Sequence, residues 1–408
     1  MVLFLHNRYR TSGGEERVVE ELMALVREQL GEPAELLARD SGDLGRARAA
    51  AGLLRGGLAP ADVGKAVRVT GARVLHAHNL NPLFGWRALA AAKGAGARVV
   101  LHLHQYRLVC ATGVCFTGGE ECTRCHGRNT LPGVIHNCRG GRSEALAYGA
   151  SLALWQRRMT DQADAVIVPS AFARERLREL GAPLAEERVH VVPPPVRLSE
   201  RPAAVESGTY ALVVSRLAPE KGVDVAIEAC RIAGVPLLVA GDGPEHAALR
   251  EQADAAAARD VRREGAGAGS TDGQARVVGA SEDTTARFVG QVDDVELAHL
   301  RAGAALAIVP SRSAETFGMA AAEAMAAGLP VAASRIGALP ELVGEEGLVA
   351  PGDAAALAQA IGRLWGDPGT AARARALARA KCAPEAIASM LRDVYGAGPT
   401  AASVTSQR

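Results

Sequence analysis

The sequence predicts an α/β protein with two domains, each built on a parallel sheet covered by helices. Short apolar runs alternate with helical stretches along most of the chain, which is the pattern of strands joined by helical crossovers. The length of 408 residues exceeds what one hydrophobic core supports and suits two domains. The alternation stops at a proline-rich segment near the middle of the chain and then starts again.

The composition excludes several classes of protein. Charged residues make up 22% and apolar residues 48% of the chain, which is the balance of a globular protein and not of a disordered one. Aromatic residues are only 3%, too few for a platform that stacks single-stranded nucleic acid, and the net charge is +1. No apolar run reaches the roughly 18–20 residues that cross a bilayer. We therefore expect a cytoplasmic protein whose seven cysteines are reduced.

Charge is divided unevenly between the two halves of the chain. Residues 1–200 carry 26 basic against 20 acidic side chains, a net of +6, whereas residues 201–408 carry 20 against 25, a net of −5. A basic N-terminal half favours an anionic acceptor or a peripheral contact with the inner face of a membrane. Arginines scattered over the surface explain the same count equally well, so both interpretations stay open.

The first domain is predicted over residues 1–195, followed by a linker over 196–208. The linker follows Pro193-Pro-Pro195, which stiffens the chain at that point. Apolar runs predict the strands of this domain at 2–5, 72–76, 98–103 and 165–168.

The second domain is predicted over residues 209–383, and a final helix with a polar tail over 384–408. Residues 254–284 have no apolar periodicity, so we expect a disordered insertion there. Apolar runs predict the strands of this domain at 210–214, near 235–240, and at 286–289, 304–309 and 330–333.

The segment from Ser311 to Gly328 carries the most specific motif. It follows a buried strand, contains Glu315 in a polar loop, and continues into an alanine-rich helix predicted to begin near Phe317, with Glu323 inside it. A loop between a strand end and a helix N terminus is where open α/β sheets bind ligands, and phosphate is favoured there. An acid beside a phosphate site suits sugar hydroxyls as partners.

Seven residues separate Glu315 from Glu323, with Phe-Gly between them. In this the chain resembles the retaining family-4 glycosyltransferases, over roughly residues 1–395 without the insertion. The resemblance implies the GT-B fold, in which two Rossmann-like domains face each other across a cleft that holds the donor. It also implies that Glu315 contacts the transferred sugar and Glu323 the ribose. One departure is the linker, which reads Val-Pro-Pro-Pro-Val where the family often has Asn-Gly-Val-Asp.

The resemblance assigns the other residues of the donor site. Arg216 and Lys221, in a loop after the strand at 210–214, look like the family's pair of diphosphate-binding cations. Gly13 and Gly14 precede a helix and match a Gly-Gly loop that faces the donor; no Gly-x-Gly-x-x-Gly follows the first strand, which disfavours a dinucleotide site. The remaining donor-binding residues are expected to be Gly241, Gly243, Val289, Thr316, Phe317, Gly318 and Met319.

Two histidine pairs stand where strands end. His76 and His78 end one strand and His102 and His104 another, and residues two apart share a face of a strand. A single histidine in this position is more often a packing residue. The resemblance assigns His104 as the active-site histidine, and we place His78 with Asn79 on the acceptor side.

Five cysteines cluster between Cys110 and Cys138. The Cys122-Thr-Arg-Cys125 spacing is typical of metal ligands, and the sequence predicts a structural zinc held by Cys110 or Cys115 with Cys122, Cys125 and Cys138. Reduced thiols in an acceptor-side loop are the alternative. A subset of the family resembles this stretch, with a Cys-rich loop after the active-site histidine.

We expect a hexosyltransferase that uses a UDP- or GDP-linked sugar and retains the anomeric configuration, as the resemblance implies. His104, Glu315, Arg216 and Lys221 would carry catalysis, without a metal or other cofactor. The acceptor is a lipid-linked glycan, a polysaccharide or a natural product. The alternatives are an inactive GT-B module that binds carbohydrate or acts as a scaffold, a sugar-nucleotide epimerase, and a sugar phosphorylase, for which no pyridoxal phosphate lysine is evident.

Overall fold

The structure is a computed structural model that describes residues 1–8, 14–42, 44–266 and 286–396, without the side chains of 257–266. The chain divides into two compact units. Unit 1 comprises Met1–Val196 and Lys381–Arg408, and unit 2 comprises Arg197–Ala380.

Unit 1 alternates strands and helices along its N-terminal segment. Its strands are β1 (Val2–Arg8), β2 (Ala34–Asp40), β3 (Val74–Ala77), β4 (Arg98–His102), β5 (Phe116–Thr117), β6 (Glu120–Glu121), β7 (Ala165–Val168) and β8 (Val189–Val191). Its helices are α1 (Gly14–Gln29), α2 (Arg46–Arg55), α3 (Pro60–Thr70), α4 (Gly85–Gly94), α5 (Leu131–Ile135), α6 (Arg142–Gln162) and α7 (Ala171–Glu179).

Unit 2 repeats the alternation. Its strands are β9 (Tyr210–Val214), β10 (Leu237–Ala240), β11 (Ala286–Gly290), β12 (Ala304–Val309), β13 (Val331–Ser334) and β14 (Leu348–Val349). Its helices are α8 (Val223–Ala233), α9 (His246–Ala266), α10 (Asp294–Ala302), α11 (Met319–Ala326), α12 (Leu339–Leu342), α13 (Ala354–Leu364) and α14 (Pro368–Cys382), the last of which ends within unit 1. The final helix, α15 (Pro384–Tyr395), belongs to unit 1.

Each unit has a six-stranded parallel sheet with a topological switch point. In unit 1 the order is β2-β1-β3-β4-β7-β8, so the chain reverses its direction of winding between β1 and β3. In unit 2 the order is β11-β10-β9-β12-β13-β14, and the switch lies between β9 and β12. Loops at the carboxyl ends of the strands flanking such a switch form the ligand site of open α/β sheets.

The cores explain why these segments are strands. All six residues of β12 are buried, as are all four of β3, because helices cover both faces of a parallel sheet. The structure has the strands predicted from apolar runs, with ends shifted by a few residues. It also has β2, which was not predicted because only Ala34 of its seven residues is buried.

Two predicted features differ from the structure. The insertion expected at 254–284 begins as helix, because α9 continues to Ala266 and buries Ala253 and Ala256; residues 267–285 lie outside the described part. The alanine-rich helix α11 begins at Met319 and not near Phe317, because Gly318 has a φ of 101°, which a right-handed helix excludes.

Helix α15 is fastened to unit 1 at its C-terminal end. Nη1 of Arg73 donates to the carbonyl of Tyr395 at 3.2 Å, and Nε of Arg98 donates to that of Val394 at 2.9 Å. Cations at a helix C terminus stabilise the negative end of its dipole. The hydroxyl of Tyr395 reaches His76 at the end of β3.

Candidate functional site

Glu315 lies in the loop after β12, and two side chains hold its carboxylate. Its Oε1 accepts hydrogen bonds from Nζ of Lys221 and Oγ of Ser311, both at 2.7 Å. Burial raises the pKa of the Glu315 carboxyl, but the charge of Lys221 and the two hydrogen bonds outweigh burial and hold the pKa below its ordinary value. Glu315 is therefore a carboxylate at neutral pH, with Oε2 left for other donors in its surroundings.

Main-chain contacts fasten the loop after β9 to the loop after β12. The N–H groups of Arg312 and Ser313 donate to the carbonyl of Glu220 at 2.8 and 3.2 Å. Gly222 has a φ of 64°, and a Cβ there would collide with the carbonyl oxygen of Pro310. Only glycine permits so close an approach with this backbone conformation. The two loops therefore place Lys221 and Glu315 together at the switch point of unit 2.

The second predicted cation has a different partner. Arg216 donates to the carboxylate of Glu220, and 56% of the Arg216 side chain is exposed. Glu220 is buried, with 9% of its side chain exposed, so water reaches this ion pair only from the Arg216 end. The exposed part of the guanidinium therefore faces solvent while it stays bonded to Glu220, whereas Lys221 is held by Glu315.

The turn from Gly241 to Gly243 packs on the loop that carries Arg216. A Cβ on either glycine would collide with main-chain atoms of that loop, at Ser215 and at Leu217. The N–H of Gly241 donates to the carbonyl of Gly290, the residue after Val289, at 2.7 Å. These glycines are required for the packing of three strand ends against one another.

The N terminus of α11 follows Glu315 and includes the predicted segment from Thr316 to Met319. Among the described residues, no side chain caps this helix. The N–H groups of a first helical turn and the positive end of the dipole attract an anion. A Cβ on Gly318 would lie 2.6 Å from Cδ2 of Leu339, so the approach of α12 also requires glycine.

Glu323 forms an ion pair with a side chain of another helix. Its carboxylate accepts from Arg301 on α10, and the two side chains are 13% and 12% exposed. The sequence alone does not indicate Arg301, because no motif connects it to Glu323. A ribose that binds Glu323 shares the carboxylate with this arginine.

In unit 1, the histidines at the carboxyl ends of β3 and β4 form hydrogen-bonded pairs across the two strands. Nε2 of His76 lies 3.1 Å from Nδ1 of His102, and Nδ1 of His78 lies 2.8 Å from Nε2 of His104. The other ring nitrogen of His76 bonds to the hydroxyl of Tyr395 at 2.7 Å.

All four of these histidines are neutral at physiological pH. Burial lowers the pKa of each, to about 3 for His76, and neighbouring histidine charges lower those of His76, His78 and His102 further. A neutral imidazole donates one hydrogen bond and accepts another. Nε2 of His78 and of His102 is buried without a hydrogen-bond partner among the described residues.

The geometry disfavours a metal among these histidines. Ligand atoms of His76, His78 and His102 lie within 4.8 Å of one another. The rings are stacked, however, with angles of 30° between the planes of His76 and His78 and 12° between those of His76 and His102. Nitrogen lone pairs lie in the ring planes, so stacked rings do not direct them at one ion, and both nitrogens of His76 are already bonded.

His78, Asn79 and His104 line one pocket of about 50 Å³, together with Glu15. The amide of Asn79 donates to the main-chain carbonyl of Asn7 at 2.7 Å, which fixes its side chain. The two histidines therefore present polar groups to this pocket, and Asn79 supports the end of β1.

The predicted glycine loop is described only in part. Gly13 lies outside the described residues. Gly14 is the first residue of α1, and a Cβ there would meet nothing within 4 Å, so packing in the described structure does not require glycine at this position.

The cysteines between Cys110 and Cys138 lie around one cavity of about 20 Å³. All are free thiols. The residues of this group that line the cavity are Cys110, Cys115, Cys122, Cys125 and Cys138, with His136 beside them.

Among the described residues, no helix is both long enough and apolar enough to cross a bilayer.

Some known proteins resemble the chain in sequence, and others resemble it in structure. The glycogen synthase of Mycobacterium tuberculosis is 32% identical over 265 residues, 60% of this chain and 57% of that protein. The D-inositol 3-phosphate glycosyltransferase of Mycolicibacterium paratuberculosis is 33% identical over 270 residues, 60% of this chain and 56% of that protein. The chain thus matches a little over half the length of each. The crystal structure of Anabaena HepE in complex with UDP has a TM-score of 0.60 at 19% identity, and the match covers 96% of this chain and 98% of HepE.

Family models match both units. Residues 13–195 match the glycosyl transferase 4-like domain, and residues 208–367 match the glycosyl transferases group 1 model. The two sheets and the likeness to HepE show the GT-B fold. The chain therefore belongs to the glycosyltransferases of GT-B fold that pair a 4-like domain with a group 1 domain.

Proposed function

We propose that the protein is a retaining hexosyltransferase that moves a sugar from a nucleotide-diphosphate sugar to an acceptor hydroxyl. The observation that carries the proposal is the Lys221–Glu315 pair at the switch point of unit 2. It offers an ammonium to a diphosphate and a carboxylate to sugar hydroxyls at one strand edge. The family supports retention, and the loop from Cys110 to Cys138 supports a place in the Cys-rich subset.

A UDP-linked sugar is the proposed donor. HepE has been solved with UDP and with UDP-glucose. The turn from Gly241 to Gly243 packs on the Arg216 loop and bonds to Gly290, the residue after Val289. Val289 and this turn would border the base, and Glu323 would contact the ribose. A GDP-linked sugar is the alternative donor.

Charge stabilisation of the departing diphosphate is the proposed source of most of the rate enhancement. Lys221 and Arg216 would neutralise the phosphates, and the N terminus of α11 would add N–H donors and the helix dipole. Two cations supply the charge that a divalent metal would otherwise bring, so the proposed reaction needs none. The leaving phosphate oxygen takes the proton of the acceptor hydroxyl, so no separate base is required.

The remaining predicted residues would orient the reacting groups. Oε2 of Glu315 would accept from sugar hydroxyls, while Oε1 stays bonded to Lys221 and Ser311. His104 would contact the sugar or the acceptor as a neutral hydrogen-bonding group, because its pKa is lowered by burial. His78, bonded to His104, would hold that ring in one orientation.

Unit 1 also supports a contact with an anionic surface, such as a membrane that carries a lipid-linked acceptor. Leu131, Ile135 and Leu146 on α5 and α6 are 60%, 69% and 60% exposed. Arg128 and Arg142 stand beside them in the sequence and are exposed as well. Exposed apolar side chains flanked by arginines favour an anionic lipid surface. Co-sedimentation with vesicles with and without anionic lipid tests this contact.

The alternatives are an inactive GT-B module that binds carbohydrate and an epimerase of sugar nucleotides. Loss of Glu315, Arg216 or Lys221 would favour the inactive module, and all three are present. An epimerase would return the donor with one inverted sugar carbon and would need no acceptor.

The test is a nucleotide-release assay with a panel of UDP- and GDP-sugars, with product analysis by NMR. We expect one donor to release its nucleoside diphosphate, at least ~10²-fold more slowly in Glu315→Gln. Glu251→Gln, an exposed acid on α9, is the matched control and should keep full activity. Donor binding without release of nucleotide or change in the sugar would favour the inactive module, and an inverted sugar in the nucleotide-linked product would favour the epimerase.

A further inference from the structure

Residues 116–141, which make up most of the Cys-rich loop, lack an apolar core of their own. Over residues 116–141, only Thr130 and Gly133 are buried. A segment that buries so little apolar surface does not offset the entropy of ordering its backbone by packing alone. Small structures with this deficit are stabilised by disulfides or by a bound metal.

The cysteines of this segment converge on one place. Five of the seven in the chain line the cavity of about 20 Å³, and the other two, Cys230 and Cys382, are buried elsewhere. A cavity of at least roughly 10–15 Å³ has room for one water molecule, which is also the scale of a single ion. The five cysteines span 28 positions of the chain, from Cys110 to Cys138, and ordinary packing does not explain why all of them line one cavity.

The backbone brings cysteines to the cavity through tight turns. Strands β5 and β6 form a hairpin between Cys115 and Cys122, and the N–H of Cys122 donates to the carbonyl of Cys115 at 2.7 Å. Cys125 lies three positions after Cys122. On the opposite side, the N–H of Cys138 donates to the carbonyl of Gly133 at 3.0 Å, and Sγ of Cys125 lies 3.6 Å from where a Cβ on Gly133 would be.

Hydrogen-bonding groups contact several of the sulfurs. Arg124 donates to Sγ of Cys122 at 3.4 Å, and the hydroxyl of Thr112 lies 3.1 Å from Sγ of Cys110. The side chain of Cys115 also bonds to Cys110. Groups that donate to a thiolate are what surrounds metal-bound cysteine in proteins.

We propose that Cys110, Cys122, Cys125 and Cys138 bind one Zn²⁺ ion that staples the loop, with Cys115 as a hydrogen-bond donor to Cys110. Four sulfurs in a tetrahedron make a closed structural site. Each thiol that coordinates gives up its proton to solvent, and four Zn–S bonds form without oxidation. Among the described residues, only His76, His78 and His102 have ligand atoms that all lie within 4.8 Å of one another, so the sulfurs must move closer together to share one ion. A change of χ1 rotamer moves a sulfur by about 3 Å, which is the rearrangement that binding requires.

The experiment is metal analysis of full-length protein purified without chelator, with the X-ray absorption spectrum of its zinc. We expect about one zinc per chain and a first shell of sulfur at about 2.3 Å. Cys122→Ser with Cys125→Ser should lower the content at least tenfold, whereas the matched controls Cys230→Ser and Cys382→Ser should retain it. A nitrogen-dominated shell, equal zinc in the loop and control variants, or a zinc content near zero would each overturn the proposal. The spectrum of the unmodified protein decides the question even if the loop variant fails to fold.

Discussion

Nζ of Lys221 lies 2.7 Å from Oε1 of Glu315, although the two residues are 94 positions apart in the chain. They meet because β9 and β12 are neighbours in the sheet while β10 and β11 lie on the other side of β9. A lysine or a glutamate at one strand end is ordinary. The two together, at the switch point and before the N terminus of α11, are the basis of the proposed site for a diphosphate with a sugar attached.

The Lys221–Glu315 pair should stabilise the free protein. Lys221→Ala leaves a largely buried carboxylate with one fewer partner, so we expect the free energy of unfolding to fall by about 1–3 kcal/mol. In the double variant with Glu315→Gln the loss should be smaller than the sum of the single losses, because the uncompensated charge is gone. Urea unfolding measures both. Arg335→Ala, which breaks an exposed pair with Glu345, is the control and should change little. Additive losses would show that the pair is not coupled.

Transfer should not depend on magnesium or manganese. Arg216 and Lys221 already bring two positive charges to the diphosphate, so activity should survive EDTA in the assay. Arg216→Ala should lower kcat/KM by about 10–100-fold, since a charged hydrogen bond contributes ~1.5–3 kcal/mol. Activity lost on chelation and restored by Mg²⁺ or Mn²⁺, but not by Zn²⁺, would contradict the proposed roles of both residues.

The buried histidines should make unit 1 sensitive to acid. The folded pKa of His76 is about 3, below the unfolded value of about 6.5, so the unfolded state binds more protons between these values. The stabilising contribution of neutral His76 is therefore complete above about pH 6.5 and is lost as pH falls toward the folded pKa, by up to about 1.4 kcal/mol per pH unit.

Unfolding free energy measured from pH 7 to pH 4 checks this acid sensitivity. His76→Phe should flatten the pH dependence relative to the unmodified protein, whatever its effect at pH 7. His299→Gln, an exposed histidine on α10, should leave the slope unchanged. Equal slopes in the two variants would show that His76 is not held neutral in the fold.

Residues 267–285 should be dispensable for folding and transfer. They contain no apolar periodicity in the sequence. A shorter Gly/Ser linker in their place should change neither the melting temperature nor the turnover. Extending the replacement back to residue 253 removes the buried Ala253 and Ala256 from α9 and should lower the melting temperature. A tenfold loss of turnover from the shorter replacement would reveal a role in catalysis.

Buried strands were predictable from the sequence, and the edge strand β2 was not. The apolar runs of β9 and β12 are unbroken because helices cover both faces of the sheet. In β2, apolar and polar residues alternate only weakly, and the strand pairs only with β1, so its sequence carries no strong pattern. The extension of α9 to Ala266 was missed because good helix formers without an apolar stripe resemble a polar loop.

Site residues that belong to one sequence motif were predictable. Contacts between residues that only the fold brings together were not. The spacing of Glu315 and Glu323 is local, and so could be recognised. Ser311 stands two positions after the last residue of β12, and a serine at a strand end is too common to indicate a bond to Glu315. The contact of Tyr395 with His76 spans 319 residues and follows from the return of α15 to unit 1, which no local pattern indicates.

The most direct measurement of the central claim compares Glu315→Gln with Glu323→Gln in two assays, sugar transfer and the affinity for free nucleoside diphosphate. Both changes keep the shape of the side chain and remove its charge. Glu315→Gln weakens the bonds that orient the sugar, so transfer should fall at least ~10²-fold while nucleotide affinity stays nearly unchanged. Glu323→Gln should weaken nucleotide binding more than it slows transfer at saturating donor. If the two variants behave alike in both assays, or if Glu315→Gln keeps full activity, this segment is not the donor site.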